Sequence, residues 1–169
     1  MLAHRHHPLP PPLKRRGDEQ KPMPILIRKA TPADHPRALA IWRTAVDATH
    51  AFLTPQDRID IDIMVERDHL PNVDLWVATD DIGTVHAFLG MGEDEIDSLF
   101  VDPARHGQGY GSALVAHALR LAPNAKVDAS EQAPQAIAFY ESRGFIRTGR
   151  SETDPMGRPY PLIHFRYPG

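Results

Sequence analysis

The 169-residue sequence contains no cysteine, and this absence excludes several kinds of chemistry. A chain without thiols forms no disulfide, offers no thiol nucleophile and builds no thiolate metal site. No apolar run approaches the ~18 residues that a membrane-spanning helix needs. Residues 1–24 also lack the apolar segment of a secretion signal. The sequence therefore predicts a cytoplasmic protein with neither a membrane nor a metal ion as partner.

A strong charge of one sign is also missing, because 19 Lys and Arg residues stand against 22 Asp and Glu residues, for a net charge of −3. Nucleic-acid binding usually shows as a basic stripe, so nucleic acid is not expected as a partner. Aromatic residues make up only 7%, but hydrophobic residues reach 41%, which is enough for a core. The length suits one domain, as a monomer or a homodimer.

Prolines are concentrated at the N-terminus, where residues 1–24 contain six of them and no aromatic residue. This segment shows neither helical nor strand periodicity and is predicted to be a disordered extension. Residues 25–169 are predicted to form one folded domain. Their hydrophobic patterns and turn signals give the element order β-α-α-β-β-β-α-β-α-β-β.

The most informative stretch is Ile96–Val115, which reads as a strand, a turn at Pro103, a glycine-rich loop and a helix. Gly107, Gly109 and Gly111 alternate just before the helical spacing begins. Glycines at a helix entrance leave successive backbone N–H groups uncovered, and the positive end of the helix dipole adds to their field. The stretch therefore predicts a phosphate-binding loop.

Two common phosphate loops do not fit this spacing. The dinucleotide fingerprint needs Gly-x-Gly-x-x-Gly directly after a strand, and the Walker loop needs Gly-Lys-Ser/Thr. The stretch instead resembles motif A of the GNAT N-acetyltransferase family, whose loop amides hold the pyrophosphate of coenzyme A. Arg105 and His106 stand where that motif usually has one Gln or Arg, which leaves open which side chain helps to bind the phosphates.

The resemblance implies a fold and a cofactor site. The fold is α/β, with a central mixed, mostly antiparallel sheet that is split at a bulged strand and flanked by about four helices. The cosubstrate is acetyl-CoA, whose pantetheine arm pairs with the strand Leu99–Val101, and an N–H near Phe100 polarises the thioester. The implied cofactor-binding residues are Leu99, Phe100, Val101, Arg105, His106, Gly107, Gln108, Gly109, Tyr110, Gly111, Ser112 and Ser130.

A second segment, Ala136–Phe145, resembles motif B of the same family. The resemblance implies that Tyr140 lies near the coenzyme sulfur and protonates the departing thiolate as a general acid. The alternative is a core tyrosine whose hydroxyl is satisfied elsewhere. A phenol has an ordinary pKa of about 10, so it keeps its proton at neutral pH.

Three residues are candidates for the general base. Glu95 aligns by its offset from the glycines with the base of histone-acetylating members, and Asp97 lies two residues further along the strand. His50 lies in a break between two predicted helices that lines the acceptor cleft in the family, and Tyr160 is expected there too. A proton relay through water, without a dedicated base, is the alternative.

Further segments, among them Val46–Leu53, resemble a bacterial subgroup of the family that acetylates protein lysines. The sequence departs from that subgroup at Ser130 and Ala133, because the subgroup carries asparagines at both positions. Ser130 is therefore the residue expected to support the cofactor instead. The predicted function is acetyl transfer to a primary amine, on a protein lysine or N-terminus. A small-molecule amine acetyltransferase and a non-catalytic acyl-CoA sensor stay open as alternatives.

Overall fold

The computed structural model describes residues 24–169, so the extension predicted at residues 1–24 lies outside it except for Pro24. Within that range the chain forms seven strands and four α-helices in the predicted order. The strands are β1 (Leu26–Lys29), β2 (Asp74–Thr79), β3 (Val85–Met91), β4 (Glu95–Val101), β5 (Lys126–Ser130), β6 (Ile146–Ser151) and β7 (Leu162–Arg166). The helices are α1 (His35–Thr49), α2 (Pro55–Met64), α3 (Tyr110–Leu121) and α4 (Pro134–Ser142).

All described strands join one sheet in the order β1-β2-β3-β4-β5-β7-β6. Every neighbouring pair is antiparallel except β4 and β5, which are parallel. The predicted mixed, mostly antiparallel sheet is therefore confirmed.

The sheet is split between β4 and β5. These strands pair only through Glu95 with Lys126 and Ile96 with Val127, and then diverge. On its other side β4 carries a bulge, because Ser98 pairs with Gly90 and Ile96 with Met91, which leaves Asp97 as the extra residue. The β5-facing edge of β4 beyond Ile96 is thus free of any strand among the described residues, and it borders a gap.

Each face of the sheet has its own hydrophobic core. α3 and α4 cover one face through residues such as Leu114 and Tyr140, whereas α1 covers the other with Ile41 and Trp42 around Phe88. Helix α1 packs on β2 to β4 in the second core. Among residues 24–169, no helix of either core covers the side of β5, β7 and β6 that points away from α3 and α4, and we call it the open face.

The second predicted helix ends differently from a plain α-helix. After α2 the chain makes a π-helical turn at Val65–His69, closed by a hydrogen bond of 3.0 Å from the Leu70 N–H to the Val65 carbonyl. This turn places His69 Nε2 2.8 Å from Ser98 Oγ on β4. No helix among residues 24–169 is long and apolar enough to cross a membrane.

Candidate active site

A cavity of about 550 Å³ runs from the glycine-rich loop through the gap to α1. Of the predicted site residues it is lined by Leu99, Phe100, Val101, Arg105, His106, Gly107, Gly109, Tyr110, Gly111, Ser112, Tyr140 and His50. Gln108, Ser130, Glu95 and Asp97 lie outside its lining. Most residues of the predicted cofactor site therefore surround one space.

The loop before α3 presents its backbone N–H groups to this cavity. Gly107 and Gly109 have φ of 75° and 94°, in the left-handed region where a side chain is strained. Within the described part of the chain, the N–H groups of residues 107–112 have no hydrogen-bond partner. Free N–H groups at the N-terminus of a 12-residue helix are suited to bind an anion. Gln108 can contribute its N–H without its side chain lining the cavity.

Side chains around the loop supply positive charge and fix its position. Arg105 and His106 are exposed at the mouth of the cavity. Arg143, just after α4, donates a hydrogen bond of 2.9 Å to Ser112 Oγ and so ties α4 to the start of α3. Gly111 lies so close to Phe139 that an added Cβ would come within 3.2 Å of the ring. The close packing of α3 against α4 therefore depends on this glycine.

The free edge of β4 offers donors and acceptors in a defined order. The Asp102 N–H bonds the His86 carbonyl of β3, so the N–H of Phe100, two residues earlier, points to β3 as well. The N–H groups of Leu99 and Val101 therefore face the gap. The backbone N–H expected near Phe100 to polarise the thioester therefore belongs to Leu99 or Val101, and not to Phe100 itself.

Tyr140 lies at the inner end of the cavity. Its ring is only 6% exposed and packs edge-on against Phe139 and Phe145, at centroid distances of 5.2 and 5.5 Å. Burial raises the pKa of the Tyr140 phenol, so the group stays protonated at any physiological pH. Its hydroxyl has no partner among the described residues and is free to donate a proton into the cavity.

His50 lies at the α1 end of the same cavity. The Thr49 hydroxyl donates to the Ala45 carbonyl at 2.8 Å, so its oxygen can accept the Nδ1–H of His50 at 2.7 Å. This arrangement leaves the lone pair on Nε2 of the neutral ring. Burial lowers the pKa of His50, so the imidazole is neutral at pH 7.

The other two candidate bases lie elsewhere. Glu95 lines a second hollow of about 440 Å³ on the open face, together with Lys126, Asp128 and His164. Burial, and then the charge of Asp128, raise the pKa of Glu95. Burial also raises the pKa of Asp97, and the nearby His69 opposes that shift. Of the three predicted bases, His50 thus lines the cavity, Glu95 lines the second hollow and Asp97 lines neither.

Tyr160 joins the loop between β6 and β7 to the start of α2. Its oxygen accepts the Thr54 N–H at 3.1 Å, and its hydroxyl donates to the Asp57 carboxylate. Phe52 packs between Tyr160 and His50 at centroid distances of 5.9 and 5.1 Å. Tyr160 therefore has a structural role, because its hydroxyl already bonds Thr54 and Asp57.

Several lining residues were not among the predicted site residues, although Ala133, Ala136 and Phe139 belong to segments singled out in the sequence. The residues not predicted are Ala45 and Thr49 of α1, and Ala133, Gln135, Ala136 and Phe139 around α4. The spacing of Ala133, Ala136 and Tyr140 puts them on one helix face and could have revealed the α4 group. Nothing local marks Ala45 and Thr49, because the fold alone carries α1 to the gap. Residues 24–169 hold no group of three His, Cys, Asp or Glu side chains suited to a metal ion.

Comparisons with known proteins agree with this geometry. A family model described as acetyltransferase (GNAT) domain matches residues 71–147. Peptidyl-lysine N-acetyltransferase YjaB of Salmonella typhimurium is 44% identical over 146 residues, which cover 86% of this chain and 100% of that protein. The narrower resemblance seen in the sequence is thereby confirmed.

Solved structures give the same result. The solution structure of apo YjaB from Escherichia coli superposes with a TM-score of 0.82 at 40% identity, covering 87% of this chain and 99% of that one. The PaiA N-acetyltransferase of Thermoplasma acidophilum, solved in complex with coenzyme A, matches with a TM-score of 0.69 at 17% identity, over 86% of this chain and 100% of that one. At that identity the second match shows the fold alone.

Proposed function

The chain belongs to the GNAT family of acetyltransferases, and on this premise we propose that it acetylates the side-chain amine of lysines in proteins or peptides. Acetyl-CoA is the acyl donor. The observation that carries the lysine acceptor is the 44% identity over the whole length of a peptidyl-lysine N-acetyltransferase. The protein is proposed to act as one domain, residues 25–169, in the cytoplasm, as a monomer or homodimer.

The proposed cofactor pose follows the cavity from end to end. The unpartnered N–H groups of residues 107–112 take the pyrophosphate, with Arg105 and His106 beside it. The pantetheine arm pairs with the free edge of β4 as an added strand would. The thioester then lies between that edge and Tyr140, where the N–H of Leu99 or Val101 can stabilise the oxyanion.

The proposed chemistry is direct attack by the amine. Tyr140 gives its proton to the coenzyme thiolate as the carbon–sulfur bond breaks. Glu95 attracts the acceptor ammonium, and its raised pKa makes it a better proton acceptor than an ordinary carboxylate. Asp97 and His50 are the other candidate bases. Ser130, whose oxygen lies 3.4 Å from the Gln132 N–H, supports the turn into α4.

The proposal is tested by incubating the protein with acetyl-CoA and panels of lysine peptides, N-terminal peptides and small amines. We expect thiol release with lysine peptides, and mass spectrometry should place the acetyl group on the side-chain nitrogen. Turnover of small amines alone would mean that the acceptors are small amines and not lysines of proteins or peptides. Thermal stabilisation by coenzyme A without turnover of any acceptor would identify an acyl-CoA sensor instead.

A further inference from the structure

Three polar side chains cross the open face in a hydrogen-bonded row that neither the cofactor nor the motifs explain. His164 of β7 bonds Asp128 of β5 through Nδ1 and Oδ1 at 2.5 Å. On the other side, His164 Nε2 lies 2.6 Å from the hydroxyl oxygen of Ser151 on β6. Both ring nitrogens are thus engaged, although the His164 side chain is 32% exposed.

The order of these contacts is compatible with one tautomer of His164. A carboxylate can only accept, so the proton shared between Asp128 and His164 is placed on Nδ1. In that tautomer the Nε2 lone pair accepts the Ser151 O–H. An acidic group, an imidazole and a hydroxyl in this order hold the imidazole ready to take a proton at Nε2 and stabilise the imidazolium that results.

The sheet register relates this row to the proposed thioester position. Ser151 pairs with Leu162, which pairs with Ser130 at the end of β5. Continued across the gap in parallel register from Glu95 and Lys126, this row reaches Leu99 on β4. Ser151 therefore lies on the open face in the same cross-strand row as the edge where the thioester is proposed to bind, three strand spacings or ~14 Å away.

Charged groups around His164 favour an incoming cation. Glu95 and Asp128 face the same hollow, and neither forms an ion pair with a Lys or Arg among the described residues. Lys126 is turned to Asp94 at 3.2 Å. Arg166 also lines the hollow, and the only β6 residue in its lining is the uncharged Thr148. Ser151 reaches the hollow only through its hydrogen bond to His164.

We propose that Asp128, His164 and Ser151 form a proton-accepting relay that deprotonates the acceptor ammonium on the open face before the amine enters the gap. The inference rests on the proposed lysine acceptor. The gap is apolar and is lined by Leu99, Phe139 and Tyr140, so a charged ammonium would be strongly disfavoured there. The amine must therefore lose its proton before it enters. Ser151 and His164 are the catalytic residues of this step, and Asp128 is a positioning residue.

The protons balance as follows. An N–H bond of the ammonium breaks and its proton goes to Ser151 Oγ, while the hydroxyl proton moves to His164 Nε2. The free amine attacks the thioester carbon, and the tetrahedral intermediate collapses with loss of the carbon–sulfur bond. Tyr140 protonates the thiolate and is reprotonated by the second N–H proton of the attacking nitrogen. The imidazolium releases the first proton to solvent, so the products are an amide, a thiol and one proton.

The test compares His164→Gln, Ser151→Ala and Asp128→Asn with wild type, using His35→Gln and Asp81→Asn as controls away from both hollows. Steady-state rates with a lysine peptide are measured from about pH 6 to about pH 10, where the free amine becomes abundant. We expect His164→Gln to lower kcat/KM about 100-fold near pH 7. The deficit should shrink as pH rises, because the amine then loses its proton without help. Acetyl-CoA affinity and melting temperature should stay at wild-type values.

The outcomes separate the two proposals. A wild-type protein that binds acetyl-CoA but acetylates no lysine peptide refutes the proposed function. A wild type that turns over, with pH profiles of the His164 and Ser151 variants parallel to its own, refutes the relay and returns the role of base to Glu95, Asp97 and His50. If His164→Gln does not fold, Ser151→Ala, which removes only the hydroxyl, decides by the same criterion, with an expected loss of about 10-fold.

Discussion

At the scale of single residues, Gly107 shows how backbone geometry alone can create a binding group. Its φ of 75° turns successive N–H groups toward the cavity, and nothing lies within 4 Å of the position that a Cβ would take. The residue is therefore glycine for its conformation and for the space that the phosphates need.

Gly107→Ala should weaken coenzyme A binding at least 10-fold, because the strained residue turns its N–H away and the methyl group enters the phosphate position. Gly83→Ala is a matched control, since Gly83 has φ of 88°, also with nothing within 4 Å, but lies in the turn between β2 and β3. Both variants should lose about 1–2 kcal/mol of stability. Calorimetry with coenzyme A measures the difference, and equal affinities would disprove the amide cradle.

Tyr140 supports a second residue-scale prediction. Tyr140→Phe should lower kcat by about 10²-fold and leave the Kd for acetyl-CoA nearly unchanged, because only the proton donor is lost. The hydroxyl has no hydrogen-bond partner within the described part of the chain, so stability should hardly change. Tyr167→Phe, a change at the residue directly after β7, serves as the control. A Tyr140→Phe enzyme with wild-type turnover would make Tyr140 a core residue, the alternative that the sequence left open.

At the scale of elements, carboxylate–arginine contacts hold α1 and α2 together, and Asp62 supplies the less exposed of the two carboxylates that bridge them. Asp62 of α2 accepts a hydrogen bond of 2.8 Å from Arg43 Nε of α1 and another of 2.8 Å from Arg58. These contacts lower the pKa of Asp62 to about 2. Its side chain is only 17% exposed, so solvent screens the interaction less than at the surface. The two hydrogen bonds of Asp62 fix the position of α2 relative to α1. His50 and Thr54 lie at the facing ends of these two helices.

Asp62→Asn should lower the free energy of unfolding by about 1–2 kcal/mol at neutral pH. The folded-state pKa lies below the ordinary value of 3.8, so this stabilisation is present above pH 3.8 and disappears as the pH falls to about 2. Urea unfolding at pH 7 and near pH 2 measures it. Asp60→Asn, on the same helix with only a hydrogen bond to Gln56, should change little at either pH. A difference between Asp62→Asn and wild type that persists at low pH would contradict this origin.

At this scale the sequence predicts some features and misses others for identifiable reasons. Ile96–Val101, Pro103 and the glycines up to Gly111 carry their structure in local signals, and the fold confirms them. The extra residue Asp97 depends on the register of β3 and was not predicted. The contacts of His164 with Asp128 and Ser151 join residues 36 and 13 positions apart, so no local pattern brings them together.

At the scale of the whole molecule, the sheet is two half-sheets joined by two residue pairs of β4 and β5. The cofactor proposed for the gap would supply the hydrogen bonds that β5 does not make there. Binding should therefore stabilise the region around the gap more than the rest of the sheet.

Acetyl-CoA at 100 times its Kd should add about 2.7 kcal/mol of stability and raise the melting temperature by several degrees. Hydrogen exchange should slow most at the amides of Leu99 and Val101, which face the gap. The amide of Ala87, which faces Ala78 of β2 and not β4, serves as the internal reference. Uniform slowing across the sheet would mean that the cofactor does not pair with this edge.

The turn at Val65–His69 gives the fold a sensitivity to chain length. Its closing hydrogen bond from Leu70 to Val65 spans one residue more than an α-helix allows, and His69 meets Ser98 as a result. Deletion of a single residue from this turn would rotate the residues before it by about 100° relative to those after it. Relatives that differ here by a one-residue gap in their alignment would present another side chain to the β4 bulge, so evolution can alter the acceptor side by deletion as well as by substitution.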